Sequence, residues 1–347
     1  MSWYRNNARP LPWRETKNPY YIWLSEVILQ QTTVSQGTPY YEKFVQAYPT
    51  IATLAKADLN DVLKLWEGLG YYSRARNLHA AANDIMNRFG GEFPSSYDDI
   101  LSLKGIGPYS AAAIGSFAYG LPYVVVDGNV LRLISRFFGI KQSIDTSITK
   151  NKIKDLAQRM QDIADPAEFN QAIMEFGALC CTYKKPECGH CVLRIECNAY
   201  QKNQVSQIPV RTKKIKKKKR LFHYHIIVDS AEKTLVEQRG PQDVWQGLFQ
   251  FPMEEVTNAN HESRLHDVLD IGNQKVKSTV YGPYKQHLTH QQITGFFHIH
   301  RISVRIKSKW VTHRRKMSVS ELSQLAWPRI INQFLENEGQ NLLEKGS

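Results

Sequence analysis

The residues of this chain that could do chemistry fall into a few tight groups. All five cysteines stand together, at Cys180, Cys181, Cys188, Cys191 and Cys197. From Cys181 onward the gaps are six, two and five residues. Disulfides, zinc or an iron–sulfur cluster could explain such crowding. The leading segment "MSWYRNNARPLPWR" is polar and carries no apolar export signal, so disulfides are not expected. Zinc sites pair Cys-x2-4-Cys with a second such pair, and only the middle gap fits that habit. Four thiolates on one compact loop equally suit a cubane cluster. Spacing leaves zinc and the cluster both open. Cys180 reads as a small buried hydrophobe.

Two carboxylates stand in contrasting settings. Glu26 lies inside "YYIWLSEVILQQTT", where apolar residues wrap most of a helix. A helical glutamate usually faces solvent, but few positions here are free to do so. A carboxyl walled in by apolar groups has a raised pKa and can act as a general acid near neutrality. Asp127 follows the apolar run of "LPYVVVDGNVLRLISRFFG" and precedes an amphipathic helix. It reads as a helix N-cap, a position that also favours the ionised carboxylate. One protonated and one charged carboxyl is the division of labour of enzymes that cleave glycosidic bonds.

A third group is "LKGIGPYSAAAI". A short helix is predicted to end near Leu103, with Gly105-Ile106-Gly107 as a turn and Pro108 opening the next helix. The glycines permit unusual backbone angles and present amides at a helix N-terminus, which suits a phosphate.

The elements that must position these groups change character along the chain. "DLNDVLKLWEGLG" and "NLHAAANDIMNRFGG" have helical apolar spacing and end at glycines. Later, "LFHYHIIVDS" alternates Phe222, Tyr224, Ile226 and Val228 as a half-buried strand would, and "ITGFFHIHRISV" also reads as a strand. A late helix is expected in "SVSELSQLAWPRIINQFLENE", broken near Pro328. Between the two regimes lies "RTKKIKKKKR" at 211–220, a mobile basic tract that adds non-specific phosphate attraction. The expected organisation is therefore multidomain. Residues 1–200 form an all-α catalytic domain, 201–220 a basic linker, and 221–347 an α/β domain. Across 347 residues the 42% hydrophobic content is that of a globular protein, and 45 basic against 32 acidic side chains give +13. That excess favours a polyanionic partner, most simply nucleic acid. No apolar run approaches the ~20 residues a bilayer crossing needs, so no membrane partner is expected.

Taken in order, "WLSEVILQQT", "GLGYYSRARNLH", "LKGIGPYSAAAI", "VDGNVLRL", "FNQAIMEFGALCC" and the Cys181–Cys197 run resemble the adenine DNA glycosylases of the MutY type. The resemblance spans nearly the whole chain. It implies a helix-hairpin-helix domain, a [4Fe–4S] cluster held by Cys181, Cys188, Cys191 and Cys197, and a Nudix-like second domain. The implied substrate is double-stranded DNA with adenine opposite 8-oxoguanine, the implied product an abasic site. Glu26 matches the acid that protonates adenine N7. Asp127 matches the carboxylate that stabilises the oxocarbenium-like sugar, directly or through a covalent intermediate, and Asn129 matches the residue that orients this centre. Trp13, Arg14 and Gln171 lie where the family lines its adenine pocket. Gln31, Leu69 and Tyr71 match residues that wedge into the gap left by the flipped base, although turn packing would also account for Leu69 and Tyr71. Gly105 and Gly107 match the DNA-binding hairpin turn, with Lys104 facing phosphate.

Tyr109 separates close relatives. Bifunctional enzymes of the endonuclease III type carry a lysine there, whose amine forms a Schiff base with the sugar. A phenol cannot, so base excision without an efficient lyase step is expected. In residues 221–347, "VWQGLFQFPMEE" fits the start of the Nudix pattern, but no glutamate-rich metal box follows, so this domain should bind rather than hydrolyse. The family's Phe-Ser-His reader of 8-oxoguanine corresponds to Leu288-Thr289-His290, which keeps the hydroxyl and the histidine and loses the aromatic ring. His287 and His290 lack further ligands for a metal site. Two rivals remain: an oxidised-pyrimidine glycosylase with lyase activity, and a non-catalytic iron–sulfur DNA sensor. A short first helix, a monomeric state and a cytoplasmic, nucleoid-associated location complete the expectations.

Overall fold

The computed structural model describes residues 1–162, 164–212, 217–256, 276–307, 311 and 313–342. The chain divides into two compact units, one of Met1–Lys56 with Asn77–Lys214, the other of Ala57–Arg76 with Ile215–Ser347. The first unit was expected to be continuous. Instead residues 57–76, with the Leu59–Leu65 helix and a turn at Gly68 and Gly70, belong with the second. Side-chain bonds made by Asn60 to the Gln324 carbonyl and by Glu67 to the Trp327 amide hold that segment there.

Helices build the first unit, and each begins or ends where the sequence dictates. Asn18 caps the Pro19–Leu29 helix by accepting from the Tyr20 amide at 3.0 Å, with Pro19 in its first turn. Ser96 caps Tyr97–Ser102, and Leu103 ends it as predicted. Gly107 precedes Pro108–Tyr119, which stops at Gly120 in the left-handed region. The core joins the helices Gly128–Phe138, Ser147–Gln161 and Pro166–Leu179 through Leu133, Ile134, Ile153, Phe169 and Phe176. The first helix is short, Ser2–Asn7, but it is tied down: Trp3 packs edge-on to Phe176 at 4.7 Å and Tyr4 donates to Gln171.

Among the described residues the second unit carries two sheets. The strands are β1 Lys218–Val228, β2 Lys233–Gln238, β3 Phe249–Gln250, β4 Met253–Val256, β5 Val276–His287, β6 Gln291–Ile302 and β7 Arg315–Ser318. One sheet runs β4-β1-β6-β5, with β1 and β6 parallel, and the other runs β3-β2-β7. Tyr224, Phe297 and Phe334 stack at 4.9 and 4.1 Å to join the first sheet to the Arg329–Glu338 helix. Pro328 stands immediately before that helix, and a separate 3-10 turn covers Val319–Gln324, so the expected break is present.

Two expectations are corrected here. The basic tract is not wholly a linker: Lys218, Lys219 and Arg220 are the first residues of β1, while 213–216 lie outside the described residues. Strand β1 is also not half-buried, since every residue from Phe222 to Val228 is buried. The face read as polar carries His223 and His225, which pair with histidines of β6. His223 Nδ1 lies 2.8 Å from His298 Nε2, and His225 Nδ1 lies 2.9 Å from His300 Nε2. Ser278 extends the chain to His300 Nδ1 at 2.7 Å. Mutual hydrogen bonding lets neutral imidazoles fill a core position that charged ones could not. Burial, reinforced by the neighbouring rings, depresses His225 to about 3, and burial with an adjacent histidine depresses His298 and His300 to about 4.

This has a consequence for pH. An unfolded chain takes up these protons below about pH 6.5 and the folded chain does so only much lower, so acid favours unfolding. We predict that the melting temperature falls as pH drops below about 6.5 and goes on falling toward about 4. Imidazole nitrogen NMR shifts should meanwhile report neutral rings in the native protein at about pH 5. Charged native rings at that pH would contradict the packing described.

Candidate active site

Eight of the residues singled out by sequence line a single cavity of about 710 Å³ in the first unit: Trp13, Arg14, Glu26, Gln31, Tyr109, Asp127, Asn129 and Gln171. They come from the 3-10 turn Pro12–Arg14, from the starts or middles of four helices, and, for Gln31, from the turn that follows Pro19–Leu29.

Glu26 is 7% exposed. The Pro19–Leu29 helix buries Tyr20 and every residue from Ile22 to Ile28, so it has no solvent face to offer the carboxyl. Burial pushes Glu26 up to about 7, and repulsion from Asp127 adds to this. A hydrogen bond from the Tyr109 hydroxyl and the charge of Arg14 oppose it. Tyr109, in the first turn of Pro108–Tyr119, is itself raised well above its ordinary value by burial and by the two carboxylates.

Asp127 caps the Gly128–Phe138 helix. Its carboxylate accepts from the Val130 amide at 2.7 Å and from Asn129 Nδ2 at 2.7 Å. By itself the cap position favours the ionised group. In the structure burial is the larger influence, and the pKa is raised even though Val130, Asn129 and Arg132 pull it down. The contrast with Glu26 is therefore in donors rather than in burial. Asp127 has two amide donors, a carboxamide donor and a nearby guanidinium, whereas Glu26 has one phenol and a more distant charge, so Glu26 keeps a proton to higher pH.

Several supporting residues escaped the sequence reading. Glu175, 1% exposed, accepts from Arg9 at 2.6 Å and Arg14 at 2.8 Å. Burial alone would raise its pKa, but the two guanidiniums overcome that and hold it at about 2. Glu175 lies four residues beyond Gln171, on the same helical face, and that spacing was the available signal. Asn170 is fully buried and fixes the run leading to Asp127, bonding the Val125 amide at 2.9 Å and the Tyr123 carbonyl at 2.9 Å. Gly177 lets two helices touch, because a Cβ there would lie 2.8 Å from Asn129 Cβ and 2.9 Å from its carbonyl oxygen.

The glycine turn behaves differently at its two ends. Gly105 has φ +82, and a Cβ would fall 2.6 Å from Asn77 Cβ. Gly107 has an ordinary φ of −99, so it is not there for conformational freedom. Nothing lies within 4 Å of where its Cβ would be, and the turn is open to a close ligand on that side. Lys104 is exposed beside it. Gln31 and Tyr71 both adopt positive φ, at 56 and 49, and both are exposed. Leu69 departs from its expected role: at 6% exposure it is packed into its turn and not presented as a wedge, whereas Tyr71 is 44% exposed.

In the second unit, Leu288, Thr289 and His290 form the loop between β5 and β6, closed by the Leu288 amide on the Gln291 carbonyl at 2.8 Å. The Thr289 hydroxyl is hydrogen-bonded to that of Tyr71. His287 and His290 are exposed.

All five cysteines are free thiols, and they line one small cavity of about 30 Å³. Cys188 and Cys197 are raised by burial and by neighbouring sulfurs, and Cys180 is pushed up to about 12 by burial and by Cys191. Arg136, buried, donates to the Thr182 carbonyl at 2.7 Å and to Cys181 Sγ at 3.4 Å. Among the described residues no three metal-binding side chains stand ready-made around a single ion. The thiols that line this cavity are nevertheless soft donors, which fits an iron–sulfur cluster.

The geometry yields a test. Removing one partner of a buried ion pair leaves uncompensated charge, so Glu175→Ala should cost about 3 kcal/mol in urea unfolding. A cost below about 1 kcal/mol would mean that the two arginines are held by solvent instead.

Comparison with known proteins places these features. Residues 24–159 match the HhH-GPD superfamily of base excision DNA repair proteins, and 223–337 match a NUDIX domain. The chain is 34% identical over 295 residues to an adenine DNA glycosylase of Buchnera aphidicola subsp. Baizongia pistaciae, covering 84% of this chain and 81% of that one. It is 39% identical over 217 residues to the adenine DNA glycosylase of Homo sapiens, covering 60% of this chain and 40% of that one. Among solved structures, a thermostable thymine-DNA glycosylase superposes with TM-score 0.52 at 29% identity, over 58% of this chain and 93% of that one. An endonuclease III in a non-covalent DNA complex shares the fold, with TM-score 0.50 at 21% identity over 58% and 92%.

Proposed function

Because the chain belongs to the adenine DNA glycosylases, within the HhH-GPD superfamily of base excision DNA repair proteins, we propose that it excises adenine paired with 8-oxoguanine by acid-assisted cleavage, without a lyase step. One observation carries the mechanism: Glu26 and Asp127 line the same cavity, and burial holds Glu26 near 7. The adenine must first leave the base stack, at a cost of a few kcal/mol. The Glu26 carboxyl then gives its proton to N7. The bond from C1′ to N9 breaks, its electron pair stays on N9, and adenine departs as a neutral base. The Asp127 carboxylate stabilises the positive sugar left behind, and Asn129 holds that carboxylate in place. Water adds to C1′ and its surplus proton returns to Glu26, leaving an abasic site.

Tyr109 contributes a phenol where a lyase needs an amine. Its hydrogen bond to Glu26 makes it a positioning group for the acid. Trp13, Arg14 and Gln171 suit the base pocket: Trp13 offers an aromatic wall and Gln171 a carboxamide for the adenine edge. In the second unit, Thr289, between Leu288 and His290, supplies the hydroxyl for the opposite 8-oxoguanine, and Tyr71 touches it. The thiols of Cys181, Cys188, Cys191 and Cys197 would hold a [4Fe–4S] cluster, which when bound would cross-link their loop. We place the protein on DNA as a monomer, in the cytoplasm.

Four measurements test this reading. Glu26→Gln should retain binding to duplex with adenine opposite 8-oxoguanine and lose at least about 100-fold in single-turnover excision. Undiminished excision would remove Glu26 from the acid's role. The wild-type rate should fall as pH rises through about 7, where Glu26 gives up its proton. Strand breakage without alkali, as fast as adenine release, would establish a lyase. Purified protein should also contain iron and acid-labile sulfide in equal amounts, and zinc in their place would replace the cluster.

A further inference from the structure

Glu26, Asp127 and Glu175 all line the catalytic cavity. Its substrate is a nucleotide within a polyanion. The sugar to be attacked stands between two phosphates, and those phosphates cannot follow the base toward the Asp127 carboxylate. They must remain at the rim and meet positive charge there. Arg9 and Arg14 also line the cavity, but both are engaged with Glu175. The cations left are Lys150 and Lys154 of the Ser147–Gln161 helix.

These two lysines are four residues apart, so they project from one helical face with Cβ atoms about 5–6 Å apart. Asn151 shares that stripe and also lines the cavity. All three are exposed, and neither lysine forms an ion pair among the described residues. No acidic residue occupies the first turn of the helix to offset Lys150. Lys152 is also exposed, but it falls on another side of the helix and does not line the cavity. The helix thus carries an internal control: equal charge, with different aim.

We infer that Lys150 and Lys154 form a phosphate clamp at the mouth of the catalytic cavity, gripping the backbone on either side of the extruded nucleotide. Each lysine takes a different phosphate, and Asn151 between them offers a neutral donor. The clamp holds the sugar over Asp127 while that carboxylate turns the phosphates away. The alternative role of an exposed lysine pair is general surface charge, and Lys152 measures that contribution.

The test is a salt titration of duplex binding by fluorescence anisotropy. It uses the full chain carrying Glu26→Gln as parent, a duplex with adenine opposite 8-oxoguanine, and the same duplex undamaged. Each phosphate contact adds about 0.9 to the slope of log affinity against log salt, so Lys150→Gln with Lys154→Gln should lower the slope by about 1.8. At about 0.15 M salt the loss should be about tenfold to thirtyfold on the lesion duplex, and smaller on the undamaged one. Lys152→Gln should cost less than about twofold on either. An unchanged slope in the double variant, a Lys152→Gln loss equal to it, or equal losses on the two duplexes would overturn the clamp. The inference rests on the glycosylase reading, but the slopes are compared among variants that do not turn over. A wild-type protein that released no adenine would defeat that reading, and the slopes would still decide the lysines.

Discussion

The structure depends on the burial of one carboxyl group. The Pro19–Leu29 helix has no polar face, and Glu26 is carried into the protein with it. A lone buried carboxylate would be costly, and the surroundings do little to ease that cost. Tyr109 donates one hydrogen bond and Arg14 adds a distant charge, while Asp127 pushes the other way. The compromise is a group that titrates near 7, able to hold a proton and to release it. Better solvation would make Glu26 an ordinary carboxylate, and closer pairing with a cation would strip it of its proton.

Glu175 shows the opposite solution in the same cavity. It too is buried, yet it is held at about 2, because two guanidiniums converge on it. Two glutamates lining one cavity thus differ by several orders of magnitude in proton affinity. Burial alone does not determine the outcome, which follows from the number and charge of the donors within reach. Asp127 is raised by burial and restrained by its cap.

The Gly128–Phe138 helix connects this cavity to the cysteine loop. Asp127 and Asn129 occupy its start, and Arg132 and Arg136 follow one and two turns later. Arg132 reaches Asn129 Oδ1 at 2.9 Å, the Gly177 carbonyl at 2.6 Å and the Cys181 carbonyl at 2.7 Å. Arg136 spreads over the Thr182, Tyr183 and Ile208 carbonyls. The cysteine loop is therefore bonded to the helix that presents Asp127, and a change in the loop would be felt at the cap. This gives the cysteine segment a structural purpose whatever it binds.

Much of this was legible from sequence. Capping residues, the proline after Gly107, the apolar wrap around Glu26 and the cysteine spacing are local features, and local physics fixes them. The helix ends and the strands followed because propensity and period are written in neighbouring residues. What the sequence left open was long-range. Leu69 and Tyr71 look alike in a turn, and only packing shows one buried and the other exposed. His223 and His225 read as the wet face of a strand until β6 brings His298 and His300 against them. Glu175 looks like any helical glutamate until Arg9 and Arg14 arrive from the other end of the unit. Residues 57–76 read as part of the helical domain, yet their contacts lie with the β unit. The sequence alone determined which groups exist and which local backbone carries them. The tertiary structure decided which are dry, which are paired and which share a cavity, because solvation and charge depend on neighbours far away in the chain.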